Sequence, residues 1–167
     1  MAEIIPTNTV NDIIDLDLQV IRKKRFRFNK DDSRILELNT SDMNIITRIS
    51  EVYPKLNALQ DKASKLMEGL NPNETDDPNA LMQDVTTMAN RLKEVDTEMR
   101  KLLDYMFDSN VSEITAPDGS MYDPFNGSFR FEYIITLLMK QYEDNLQSEF
   151  GKMEKQLKKH TDKYTRR

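Results

Sequence analysis

Apolar side chains recur along two stretches of this chain with the same succession of steps. Ile45, Ile49, Val52, Leu56, Leu59, Ala63, Leu66 and Leu70 are spaced 4-3-4-3-4-3-4, and Leu81, Val85, Met88, Leu92, Val95, Met99, Leu102 and Met106 repeat the series. An average step of 3.5 residues puts every member of a ladder on one seam of an α-helix. Each ladder covers 26 residues, about 39 Å of helix. Between them, residues 71–79 are polar and contain Pro72 and Pro78, the chemistry of a loop. Two equal helices joined by a short loop predict an antiparallel hairpin, with Ile45 near Met106 and Leu70 near Leu81.

The flanks read differently. Residues 1–15 have no clear period, and Pro6 suggests an extended start. Leu16, Leu18 and Val20 then alternate with Asp17 and Gln19, which is β-like. Residues 24–38 predict a β-hairpin: Lys30-Asp31-Asp32 supplies the turn, Phe26 and Phe28 share one face, and Arg25 and Arg27 take the other. Thr40 or Ser41 offers an N-cap to a helix running from about 42 to 70, with Asp42 in its first turn. Pro54 falls inside that helix. The ladder keeps its register across it, so a kink near 50–54 is expected in preference to a break. Gly69 reads as the terminator.

The apolar stripe is wider than a two-helix seam. Ile46, Tyr53 and Met67 extend it on the first helix, and Met82, Ala89 and Leu103 on the second, with Gln60 and Asp96 at the waist. This predicts a third element covering the ends but not the waist. Residues 128–160 supply one. Phe131, Ile135, Leu138 and Tyr142 keep the 4-3 pattern, after which the apolar set slips to Leu146, Phe150, Met153 and Leu157. The first half should dock and the second half project or bind a partner. The turn-rich residues 107–127 still carry Val111, Ile114, Met121, Tyr122 and Phe125, so an ordered loop is expected. The fold class is therefore mostly α (α+β) in one domain. Its parts are an N-terminal segment and β-hairpin (1–39), a long antiparallel helical hairpin (40–107), an ordered loop (108–127), and a third long C-terminal helix with a basic tail (128–167).

Composition narrows the chemistry. Of 167 residues 32% are charged and none is cysteine, which removes disulfides, thiolate nucleophiles and Cys-built metal sites. Nothing resembles a signal peptide or a membrane span, so a cytoplasmic location is expected. The net charge of -5 is uneven. Residues 1–70 balance eleven acidic against eleven basic groups, 71–127 carry twelve against four, and 128–167 carry six against nine. The acidic middle opposes nucleic-acid binding, although Arg22-Lys23-Lys24-Arg25-Phe26-Arg27-Phe28 interleaves cations and aromatics. The basic end from Lys152 to Arg167 is either a contact arm or a solvated helix end that complements the dipole.

Catalytic candidates are few. His160 stands alone in the basic tail, and the four glycines form no phosphate-binding array. Asp76-Asp77, Asp104 with Asp108, and Asp118 with Asp123 lack EF-hand spacing. No catalytic, cofactor or metal residue is assigned, and the chain is expected to be non-enzymatic. Ten methionines suit either core packing or surfaces that accept varied apolar partners. Tyr122, Phe125, Phe129 and Phe131 bring four aromatics within ten residues. They are the candidate partner-binding residues; the alternative is that they plug the open end of the hairpin near Ile45 and Met106.

Three stretches resemble small proteins from the tail modules of phages and prophages of Gram-positive bacteria. They are Leu36-Glu37-Leu38-Asn39-Thr40-Ser41-Asp42-Met43-Asn44-Ile45-Ile46-Thr47-Arg48, Asp104-Tyr105-Met106-Phe107-Asp108-Ser109-Asn110-Val111-Ser112-Glu113 and Phe129-Arg130-Phe131-Glu132-Tyr133-Ile134-Ile135. The likeness, over most of residues 24–150, is to tail assembly chaperones. It implies a cytoplasmic protein that binds the tape-measure protein, keeps it soluble, helps tail-tube protein assemble around it, and is absent from the mature virion. A structural tail or virion subunit and a small coiled-coil regulatory protein are the alternatives. The helices also offer surfaces for self-association.

Overall fold

The hairpin begins where the alternation of Phe26 and Phe28 with arginines sets one face inward. The computed structural model describes residues 23–69 and 77–165. The strand expected at Leu16–Val20, residue Arg22, the proximity of Leu70 to Leu81 and Asp76 all lie outside those residues. Strand β1 (Lys24–Arg27) pairs antiparallel with β2 (Ile35–Leu38), Phe26 opposite Leu36 and Arg25 opposite Glu37. The connection makes two successive turns. Asn29 and Lys30, with φ of 55° and 59°, form the first, closed by the Asp31 N–H on the Phe28 carbonyl. The Arg34 N–H on the Asp31 carbonyl closes the second. Phe26 and Phe28 pack on the core, while Arg25 pairs with Glu37 at 3.2 Å on the other face. The cation–aromatic run is thus the two sides of a half-buried hairpin.

Helix α1 (Asn44–Glu68) runs unbroken through Pro54, which is exposed, so the carbonyl that loses its partner faces water. Its entry differs from expectation. Thr40 is 3% exposed and does not cap; Asp42 accepts the Asn44 N–H at 3.0 Å and binds Arg48 at 2.7 Å. Burial works to raise the Asp42 carboxyl, but the Arg48 hydrogen bond and charge and the Asn44 N–H outweigh it and hold the group below its ordinary value. Helix α2 (Pro78–Phe107) opens with Asp77 accepting the Asn79 N–H and Pro78 in its first turn. It closes on Asp108 in the left-handed region. Arg48 Nε donates to the Met106 carbonyl at 2.8 Å, which fixes the start of α1 against the end of α2. The two helices form the antiparallel hairpin that the ladders predict.

Burial along this hairpin is graded. Ile45, Val52, Leu56, Ala63, Val95, Met99 and Met106 are buried, whereas Leu66, Leu81 and Met88 are half-buried and Val85 is 40% exposed. The widened stripe is not capped at both ends. Ile46, Tyr53, Met67 and Met82 are exposed and only Leu103 is buried. The waist is the covered part, because Asp96 accepts the backbone N–H of Met121 at 2.6 Å and so anchors the following loop. A carboxylate that interrupts an apolar stripe is here an attachment point.

That loop contains regular structure. Helix α3 (Val111–Thr115) is followed by a short antiparallel pair, β3 (Pro124–Phe125) and β4 (Ser128–Phe129). Asn126 and Gly127, with φ of 51° and 85°, make the turn, a backbone that glycine adopts without strain. Helix α4 (Arg130–Thr165) buries Phe131, Ile134, Ile135, Leu138 and Tyr142. Asn145 then donates to the Thr40 carbonyl and to Ser41 Oγ, and beyond it Phe150 and Met153 are more than half exposed. The docked first half and projecting second half of α4 follow the slip in its apolar register. The described residues are mostly helical, with two short antiparallel strand pairs.

Tyr142 is 1% exposed and lies 6.0 Å from the Phe107 ring. Burial pushes its phenol up to about 12; the Arg48 charge opposes the rise, and those of Asp42 and Asp108 add to it. The unfolded chain releases this proton near pH 10 and the folded chain near 12, so its contribution is complete below 10 and lost as pH rises through 12. Urea midpoints measured across that window are expected to fall, and Tyr142→Phe to shrink the fall. An unchanged fall in the variant assigns it to other groups.

Candidate protein-binding cleft

Three arginines decide the shape of the loop between α2 and α4. Arg100 Nε binds Asp96 at 2.7 Å, its Nη1 donates to the Ser112 and Ala116 carbonyls, and its Nη2 donates to the Gly119 carbonyl at 2.7 Å. Arg34, from the hairpin, donates to the Ile114 and Thr115 carbonyls at 2.9 and 2.8 Å. Arg130, at the start of α4, donates to the Asp118 carbonyl and lies 3.5 Å from the Asp123 carboxylate. A guanidinium presents several donors in a fixed fork, which suits it to collecting the carbonyls of a short helix and of the loop that follows it. Asp104 holds the other end of the loop, accepting the Ser112 N–H and hydroxyl at 2.7 and 2.8 Å.

A cleft of about 410 Å³ opens where these elements meet. Phe28, Asn29 and Arg34 form one wall, Thr115–Asp118 the floor, and Phe125 with Arg130, Tyr133, Ile134 and Leu137 the other wall. Phe125 and Tyr133 are 5.0 Å apart between ring centres, and the Arg130 guanidinium lies 5.9 Å over the Phe125 ring. Phe125, Tyr133 and Leu137 are 44%, 36% and 40% exposed. Both arginines of the cleft already serve loop carbonyls, and no nucleophile–base pair lines it. Its lining is polar and apolar in comparable measure, and Phe125, Tyr133 and Leu137 are its large exposed apolar groups. The volume suits one or two large side chains of a partner.

The four aromatics chosen from the sequence separate here. Phe125 lies in the cleft. Phe131 is fully buried, so it can offer no contact area and is withdrawn as a partner-binding residue. Tyr122 and Phe129 are half-buried against the core, with Phe129 6.3 Å from Phe131 between ring centres. Tyr133, Leu137, Arg34 and Arg130 were missed. The first two were findable: assigning Phe131, Ile134, Ile135 and Leu138 to the core seam leaves Tyr133 and Leu137 as an apolar i,i+4 pair on the flank of α4.

A second groove of about 540 Å³ runs between α1 and α2, floored by Ala58, Leu59 and Leu102 and edged by Lys55, Lys62, Lys101 and Glu98. Of the paired aspartates, Asp104 and Asp123 are engaged as described and Asp108 ends α2. No group of three His, Cys, Asp or Glu able to hold a metal occurs among the described residues, and no helix among them is long and apolar enough to cross a membrane. Comparisons with known protein families, with curated proteins and with solved structures find no match to this chain.

Proposed function

We propose that this protein is a non-enzymatic binding protein whose cleft receives apolar side chains of a helical partner. Its specific form is a cytoplasmic phage tail assembly chaperone that binds the tape-measure protein and helps tail-tube protein assemble around it. The observation that carries the binding role is the exposed Phe125–Tyr133–Leu137 cluster, with Phe125 on the loop that Arg34, Arg100 and Arg130 hold and Tyr133 and Leu137 near the start of α4. Exposed aromatics on a fixed frame lose little conformational freedom when a partner covers them, so most of their contact area is available to binding. The identity of the partner rests on the resemblance of residues 36–48, 104–113 and 129–135 to tail-module proteins.

The test is co-expression of the full chain with the tape-measure protein of the same genome. The wild type is expected to keep that protein soluble and to co-purify with it. A Phe125→Ala/Tyr133→Ala variant should bind at least about 30-fold more weakly, the cost of losing a hot spot of about 2 kcal/mol. Its melting temperature should stay within a few degrees of wild type. Unchanged binding by the folded variant removes the cleft from the account.

A further inference from the structure

The direction of α4 places two unlike ends at opposite poles of the molecule. Met121 donates its N–H to Asp96 and accepts the Phe131 N–H at 2.9 Å, so α4 begins beside the middle of α2. Tyr142 of α4 meets Phe107, the last residue of α2. The same number of residues separates Asp96 from Phe107 as Phe131 from Tyr142, so the two helices run side by side in the same direction. Asn145 then reaches Thr40 and Ser41, just before α1. From Leu146 to Thr165 the helix continues past the base of the hairpin, about 30 Å of further length. It leaves on the side away from the tip, where α1 ends and α2 begins.

The two poles are chemically complementary. Between Lys65 and Arg91 the sequence has five acidic residues and no basic one. On the described part of the tip, Glu68 and Asp84 accompany exposed Met67, Met82 and Val85. From Phe150 to Arg167 there are seven basic residues and two acidic ones. On the described part of that arm, Phe150 and Met153 are 53% and 54% exposed beside Lys152, Lys155 and Lys158. Lys152 and Lys158 pair within the helix with Glu149 and Glu154, contacts exposed enough to be exchanged at little cost. One chain cannot bring its own arm to its own tip, because they face opposite ways.

We propose that the occupant of each surface is a second copy of this chain: the basic, apolar arm of one copy lies on the acidic, apolar tip of the next. Such a contact is heterologous, so copies add head to tail into a ring or an open filament. The inference goes beyond the cleft and uses none of its residues.

Sedimentation velocity of the full chain tests it. At about 0.1 M salt the average mass should rise with protein concentration, and it should fall toward the monomer at about 1 M, where charges are screened within about 3 Å. Phe150→Asp/Met153→Asp, which disables the arm, and Met82→Lys/Val85→Lys, which disables the tip, should each be monomeric at low salt. Mixed together they should form a heterodimer and nothing larger, since one intact arm and one intact tip remain. Charge exchange gives a milder check: Lys155→Glu and Asp84→Lys should each weaken association, and their mixture should recover it. A wild type that stays monomeric at low salt overturns the proposal. So do variants that associate like the wild type, or a mixture that fails to pair in both variant sets. Loss of tape-measure binding in the arm or tip variants, with a monomeric wild type, assigns these surfaces to that partner instead.

Discussion

Arg100→Ala is expected to lower the melting temperature by about 10 °C. Arg100 and Asp96 are mostly covered, at 24% and 16% side-chain exposure, and removing one partner of such a pair costs about 3–5 kcal/mol. A protein of this length loses about 2–4 °C per kcal/mol. The cost is high because the guanidinium also serves the carbonyls of Ser112, Ala116 and Gly119. Without it the Ala116 and Gly119 carbonyls lose their donor, while Ser112 keeps the Ala116 N–H and Asp96 keeps the Met121 N–H. Arg100→Lys should recover little, since an ammonium cannot span the same acceptors. Hydrogen exchange should quicken over residues 111–121 in both variants before it changes elsewhere. A melting temperature within a degree or two of wild type means that the apolar side chains alone hold the loop.

The second large effect separates two aromatics that the sequence grouped together. Phe131→Ala should destabilise the fold by about 3–5 kcal/mol, the usual cost of emptying a buried phenylalanine site. Phe125→Ala should cost about 1 kcal/mol, because that ring is 44% exposed and gives up chiefly its contacts with Tyr133 and Arg130. Chemical unfolding of the two variants reads the difference directly. Similar losses at both positions place Phe125 in the core and leave the cleft without its main apolar contact.

The contrast between these positions marks what a pattern of apolar residues conveys. The two ladders specify helices, their antiparallel pairing and the side that each buries, because a period of 3.5 has one solution in a helix. The slip from Tyr142 to Leu146 gives the point where α4 leaves the core. The loop was less legible. Its conformation depends on Arg34, Arg100 and Arg130 meeting carbonyls far away in the chain, and a carbonyl has no signature in a sequence. Asp96 shows the same effect, since a polar residue in an apolar stripe reads as a gap until its partner, the Met121 N–H, is seen. The Asn126-Gly127 turn between Phe125 and Phe129 was a readable hairpin signal, passed over because its strands are only two residues long. Phe131 could be taken for a surface residue because clustering of aromatics carries no direction. Its place in the seam with Ile135 and Leu138 carries one.

Mass spectrometry of infected or induced cells, comparing assembly intermediates with finished particles, tests the chaperone reading most directly. The chain is expected in the lysate in complex with the tape-measure protein and to be missing from purified particles. Its presence in those particles at a fixed ratio to tail subunits contradicts the chaperone role and makes it a structural component.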